Sequence, residues 1–299
     1  FATHNNWNIK FVAAIGIYGL TFNNLSKSFF YVSYGITELK HYLIDSLTTE
    51  EGGYSEGANY HRYSQSEYIP FLIAINNFLN KNIKNYYNQY CLTRRDNTCV
   101  NGEILIDNFI SSNQFKNTLH WQFDIVMPDG FTPPFDDNIM GCSNSLINYY
   151  FDNNPEYIWY NDEFVKCKNY VDNFSVETFV YHNADIVKQK PVEKNFISPK
   201  TGIIIFRNNI EANNKYFLLV CEDFPMRGMS HEHSDETTFS YHAFGDYLLL
   251  DSGYIKYTER EKVNKEKNHS LLLIDNEGPT NPGLGTGGAK CIVNGKDIN

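Results

Sequence analysis

From Trp7 to about Leu47 the apolar residues return at helical spacing, first Ile9, Val12, Ala13 and Ile17, then Phe29, Tyr31, Ile36, Leu39 and Leu43. That period predicts two helices. A Gly, Ser and Glu-rich turn, Glu50 to Asn59, separates them from a third helical stretch at about Tyr63 to Leu79. Pro70 inside that stretch predicts a kink or a break, because its ring removes a backbone donor and crowds the preceding turn. The region from Asn85 to Asn183 is Asn-rich and irregular, with a loop at Met127-Pro128-Asp129-Gly130 and helical patches at Ser143 to Phe151 and Asp162 to Val171. After Lys190-Pro191 the pattern shortens. Gly202 to Phe206, Tyr216 to Val220, Thr237 to Ala243, Tyr247 to Asp251 and Leu271 to Asp275 read as strands between turn residues. Helices followed by strands, without alternation, predict an α+β multidomain chain with a helical part over 1–190 and an antiparallel β part over 191–299.

Composition adds a globular character: 299 residues, 42% hydrophobic and 16% aromatic, with 22 Tyr and 22 Phe. Aromatic faces suit sugar rings, although most of these rings are expected in the core. The formal charge of −10 argues against a nucleic-acid partner, which calls for a basic footprint. It also means that an anionic substrate would need a local cluster of cations. The six Cys have no C-x-x-C spacing and are not expected to hold a metal; Cys91 and Cys99 flank a polar loop and could be bridged in an exported protein. There is no apolar run of transmembrane length and no signal peptide. Because the chain starts at Phe1 just ahead of a helix and stops at Asn299 within strand-like sequence, it reads as an excised piece.

Three stretches carry candidate chemistry. Met229-Ser230-His231-Glu232-His233-Ser234-Asp235 is followed by Asp251-Ser252-Gly253-Tyr254 and by Asn268-His269-Ser270. Two imidazoles and one carboxylate, His233, Asp251 and His269, would make a zinc site if they lie at the ends of neighbouring strands. On a strand, His231 and His233 would share a face. A His-x-His pair is also often only a polar face. The zincin pattern H-E-x-x-H is absent. The second stretch, Glu51-Gly52-Gly53-Tyr54-Ser55-Glu56-Gly57 leading to Tyr60-His61-Arg62-Tyr63, delivers phenols at a helix start, where a Tyr beside a cation can move protons; ordinary packing is the plainer alternative. The third, Thr3-His4-Asn5-Asn6-Trp7, places amide and imidazole donors where a helix N-terminus favours an anion, unless Asn5 or Asn6 is simply the N-cap. A glycosidase would need two carboxylates across the scissile bond, and no such pair stands out, Glu56 and Asp235 being isolated.

In chain order, from Asn5-Asn6-Trp7 through the glycine-rich turn and Gly202 to Arg207 to the His-x-His core, the three stretches resemble the heparinase II/III superfamily of polysaccharide lyases. The resemblance covers most of the chain apart from a divergent middle. It implies an incomplete (α/α) toroid packed on an antiparallel β-sandwich domain, with the active site between them. It further implies β-elimination on a uronate-containing polysaccharide, a glycosaminoglycan or alginate, in a secreted or periplasmic location, with no nucleic-acid partner; the oligomeric state stays open. Epimerisation of the same uronate and binding without turnover are the alternatives. By this likeness Tyr60 is the catalytic tyrosine, with Tyr63 as the fallback, and His231 the catalytic histidine. Asn5 or Asn6 neutralises the uronate carboxylate, with His4 as a further donor. His233, Asp251 and His269 hold a structural divalent metal, Zn2+ by the donor set. Arg207 and Tyr254 are expected to contact substrate. The family follows its last metal His with Asn, whereas here Ser270 follows and Asn268 precedes.

Overall fold

The structure, a computed structural model, describes residues 5–82, 86–89, 101–143, 153–164, 187–192, 194–208, 213–222, 231–278, 292–293 and 296–297. His4, the helical patch expected over 143–151 apart from Ser143, and most of that expected over 162–171 lie outside the described residues. So do Cys91, Cys99, Cys167 and Cys291, whereas Cys142 and Cys221 are described and disulfide-bonded.

Three helices dominate the first part: α1 (Asn6–Thr21), α2 (Ser28–Tyr42) and α3 (Gly57–Asn82). Asn5 caps α1, its Oδ1 accepting the Asn8 N–H at 3.4 Å. Helices α1 and α2 meet backbone to backbone, since a Cβ on Gly35 would lie 2.9 Å from the Cα of Gly16. A single π-helical turn, Leu43–Leu47, ends α2 and leads to the glycine-rich turn. Helix α3 continues through Pro70, so the helix does not break there. Tyr68, Ile69, Phe71 and Leu72 around it are at most 1% exposed, and that burial offsets one lost backbone bond. Beyond α3 a short hairpin, β1 (Tyr86–Gln89) with β2 (Gly102–Leu105), precedes α4 (Asp107–Ile110), α5 (Asn113–Asp124) and α6 (Pro155–Glu163).

The second part is a five-stranded antiparallel meander: β3 (Phe196–Ser198), β4 (Ile203–Arg207), β5 (Tyr216–Val220), β6 (Phe239–Ala243) and β7 (Asp246–Leu249). Its inner face, Ile203, Ile205, Leu218 and Val220, joins the same core as Ile9, Ile36, Phe71 and Trp121 of the helices. Tyr216 donates its OH to the Ile125 carbonyl at 2.9 Å, and the Thr49 and Thr201 hydroxyls pair at 3.0 Å, so the sheet is bonded to the helices as well as packed on them. The outer face carries a ladder of Phe206, Phe217 and Phe239 rings. Two strand expectations fail. Residues 271–275 form no strand, only an isolated bridge from Ile274 to Glu277, and residues 231–238 are an irregular loop. In that loop His231 (φ 80) and Thr237 (φ 69) take the left-handed conformation that a pleated strand excludes. No helix among the described residues is long and apolar enough to cross a membrane. The architecture is mixed α+β, helices first and an antiparallel sheet after them.

Candidate functional site

The glycine-rich turn and the start of α3 form one wall of the site. Glu56 is 1% exposed; its Oε2 accepts the Asn6 N–H at 2.8 Å and the Tyr54 OH at 3.3 Å. These bonds tie the first residue of α1 to the turn before α3. One helical turn on, the Tyr60 ring stacks on the His231 imidazole, with centroids 3.8 Å apart and planes inclined by 25°. His231 Nε2 stands 3.7 Å from Glu56 Oε1. Burial, and after it the nearby Asp137 and Tyr254, push the Tyr60 hydroxyl well above its ordinary pKa, so the phenol stays protonated. Tyr63, three residues further along α3, accepts a hydrogen bond from Lys10 Nζ at 3.0 Å.

The other wall is the loop after β5 and the segment 133–138. Asp137, 1% exposed, takes His231 Nδ1 on Oδ2 at 2.7 Å and His233 Nε2 on Oδ1 at 2.8 Å, with Arg260 Nε 3.2 Å from Oδ1. Burial alone would raise Asp137, but the two histidine bonds and Arg260 outweigh it and hold the carboxyl below the usual range. An ionised carboxylate only accepts, so His231 carries its proton on Nδ1 and His233 on Nε2.

Beside this lies a buried group that fits a cation. One donor atom each from His233, Asp235 and His269 lie within 4.8 Å of one another. Among the described residues, His233 Nδ1 and His269 Nε2 are both buried without a hydrogen-bonding partner, although a buried imidazole nitrogen is normally satisfied. Each has its opposite nitrogen on a carboxylate: His233 on Asp137, and His269 Nδ1 on Asp251 Oδ1 at 2.9 Å. A carboxylate behind each imidazole is how proteins orient metal-binding histidines. Asp251 also accepts from Thr238 Oγ1 and from the Gly253 N–H at 3.0 Å. Asp136, Asp235 and Asp251 crowd together; burial and this mutual repulsion raise Asp136 and Asp235, an arrangement that added positive charge would relieve.

Of the residues singled out in the sequence, the structure brings together Asn6, Tyr60, His231, His233, Asp251 and His269. Asn5 serves as the helix cap. Asn6 is 3% exposed and its Oδ1 has no partner among the described residues. Tyr254 sits next to Tyr60, its N–H donating to the Asn138 carbonyl at 2.9 Å. Arg207 bonds the Asp124 carbonyl and lies over the Tyr216 ring, 5.3 Å from its centroid, at the joint of sheet and α5. His233, Asp251 and His269 lie in loops, not at strand ends, because β7 stops at Leu249 and the segments around the two histidines form no strand. Sequence reading missed Asp137 and Arg260 altogether and set Glu56 and Asp235 aside as isolated. Asp235, two residues after His233, carried a local signal; Asp137 carried none, standing 94 residues from His231.

No family model and no curated protein matches the chain. Solved structures do. Heparinase III, the BT4657 gene product, superposes with a TM-score of 0.65 at 16% identity, over 91% of this chain and 37% of that one. Heparan sulfate lyase HepC from Pedobacter heparinus gives 0.60 at 14%, over 91% and 37%. A further heparinase III structure gives 0.64 at 13%, over 95% and 41%. The chain thus spans about two fifths of the length of these structures. Over that span, the chain has the fold of the heparinase III and heparan sulfate lyase structures.

Proposed function

We propose that the chain is the catalytic portion of a polysaccharide lyase that cleaves a uronate-containing polymer, a glycosaminoglycan or alginate, by β-elimination. The observation that carries this reading is the grouping of Asn6, Tyr60 and His231 around Glu56, which accepts the Asn6 N–H and faces the His231 ring that Tyr60 stacks on, in a chain with the heparinase III fold. The helical part would be an arc of an (α/α) toroid and the sheet one layer of a β-sandwich, two units joined near residue 190.

The chemical obstacle is the weak acidity of a C5 proton beside a carboxylate. Asn6, with Asn5 next to it, would hydrogen-bond that carboxylate and stabilise the enolate-like charge; one such donor is typically worth roughly 3 to 4 kcal/mol. His231, with Nδ1–H held by Asp137, offers Nε2 as the base for the C5 proton. The resulting imidazolium would lie between Asp137 and Glu56. Tyr60, kept protonated, would give its proton to O4 as the C4–O4 bond breaks. Lys10, Tyr63, Tyr254 and Arg260 would contact flanking sugars, and the cations would meet their acidic groups. Arg207 and His4 are proposed to contact substrate as well.

His233 and His269 would hold a divalent metal, Zn2+ by the donor set, with carboxylate oxygen from the pair Asp235 and Asp251. Zinc bound there would supply rigidity, fixing the loop that carries His231. An exported or periplasmic location suits such polymers and the disulfide state of Cys142 and Cys221.

The test is absorbance of a 4,5-unsaturated uronate while the full-length protein is incubated separately with alginate, heparan sulfate, chondroitin sulfate and hyaluronan. A rise that vanishes in Tyr60→Phe and His231→Ala is expected. No rise on any polymer by folded, zinc-loaded protein would overturn the lyase reading, and uronate inversion without chain cleavage would replace it by an epimerase.

A further inference from the structure

We propose that Asp137 is a positioning residue that sets the tautomers of His231 and His233 together, so that one carboxylate couples the proton-transfer histidine to the metal centre. The inference rests on the lyase and metal reading above.

The geometry is that of a two-handed clamp. Each Asp137 oxygen takes one imidazole, Oδ2 that of His231 at 2.7 Å and Oδ1 that of His233 at 2.8 Å. The Asp137 backbone N–H donates to the His231 carbonyl at 3.1 Å, so the two residues are bonded by side chain and main chain. The neighbouring residue repeats the pattern: the Asp136 N–H donates to Asp235 Oδ2 at 2.7 Å, and Asp136 Oδ1 accepts the His233 N–H at 3.1 Å. Segment 136–137 is thereby laid along segment 231–235, and Arg260 closes the outer side of Asp137 at 3.2 Å.

A clamp of this kind has a chemical consequence. With both facing nitrogens protonated, the opposite nitrogens are bare: His231 Nε2 toward Glu56 and Tyr60, and His233 Nδ1 among Asp235 and His269. A bare nitrogen is what a base and a metal ligand each require. Asparagine at 137 has the same shape but one acceptor and one donor, so it cannot take a proton from both rings. Whichever ring faces its NH2 must move its proton to the far nitrogen. If that ring is His231, Nε2 can no longer take the C5 proton; if it is His233, Nδ1 has no lone pair for a cation.

The experiment reads tautomers directly, by long-range proton–nitrogen NMR correlation on the metal-free full chain, with His231→Gln and His233→Gln to assign the rings. The wild type is expected to show His231 as the Nδ1–H form and His233 as the Nε2–H form. Asp137→Asn should flip one of them, and Asp137→Glu, which keeps two acceptors, should restore the wild-type pattern. Titration with Zn2+ alone should then show a loss of affinity of about 10 to 100-fold if His233 flips. If His231 flips instead, kcat should fall by up to about 10⁴-fold with KM little changed. An Nε2–H tautomer at His231 in the wild type, or unchanged tautomers in folded Asp137→Asn, would overturn the proposal. The tautomer and Zn2+ readouts need no turnover, so a failed lyase assay leaves them standing.

Discussion

Tyr60 lies flat on His231, ring on ring at 3.8 Å, although one belongs to a helix and the other to a loop beside the sheet. Tyr60→Phe keeps that stacked ring and removes only the hydroxyl. We expect it to leave thermal stability within about 0.5 kcal/mol of wild type and to lower kcat by roughly 10² to 10⁴-fold. Tyr60→Ala should lose both stability and rate. Single-turnover kinetics on the cleaved polymer, beside urea denaturation of each variant, separate the two effects, and a fully active Tyr60→Phe would remove Tyr60 from the chemistry.

Zinc should stabilise the fold, because two buried imidazole nitrogens otherwise lack a partner. At a free concentration about a thousandfold above Kd the gain is about 4 kcal/mol. Melting curves with and without Zn2+ should differ by several degrees in the wild type and coincide in His269→Ala. Asp235→Asn and Asp251→Ala are both expected to lower metal content before activity. Full activity in metal-free Asp251→Ala would exclude an architectural role for the metal.

His120 reports on the joint between α5 and α6. It bonds Asp124 at 3.1 Å and Glu156 at 3.2 Å. Burial by itself would lower its pKa, but the two carboxylates outweigh burial and raise it to about 9. A raised folded-state pKa favours folding while the histidine is charged in both states. Its contribution is therefore complete below about pH 6.5 and is lost as the pH climbs through about 9. Urea midpoints of the wild type should fall across that window, whereas those of His120→Gln should change less. Parallel curves for the two proteins would rule the linkage out.

Gly253 holds φ 54, and a Cβ there would meet the Asn138 carbonyl oxygen at 2.4 Å. Gly253→Ala should cost about 1 to 3 kcal/mol, from the strained conformation and the clash together. Since Asn138 lies next to Asp137, the change should also disturb His231. Equilibrium denaturation gives the first quantity, and an unchanged midpoint would contradict it.

Helix α1 exposes Trp7 (58%), Phe11 (48%), Tyr18 (45%) and Phe22 (47%) along one side. A stripe of this size should bind an apolar dye such as ANS in the folded state at neutral pH. Phe11→Lys combined with Tyr18→Lys should reduce the fluorescence at least twofold while the circular dichroism stays native. Equal dye binding by the double variant would place the apolar surface elsewhere.

Much of this molecule follows from local pattern. The 3.6-residue recurrence of Ile9, Val12 and Ile36, Leu39 determined α1 and α2, and the alternation at Tyr216 to Val220 determined a strand, because each period is set by backbone geometry alone. The glycine-rich turn and the His-x-His motif were visible for the same reason: their meaning lies in adjacent residues. What only the tertiary structure decided is non-local. Whether Pro70 breaks a helix depends on how deeply its neighbours are buried, and that burial is supplied by other elements. Whether 231–235 is a strand depends on the bonds that Asp136 and Asp137 make to it. Glu56 and Asp235 looked isolated along the chain, and Asp137 did not stand out at all, because a carboxylate has no periodic signature. Folding brings residues 94 positions apart to 2.7 Å, and that distance makes Asp137 the partner of His231.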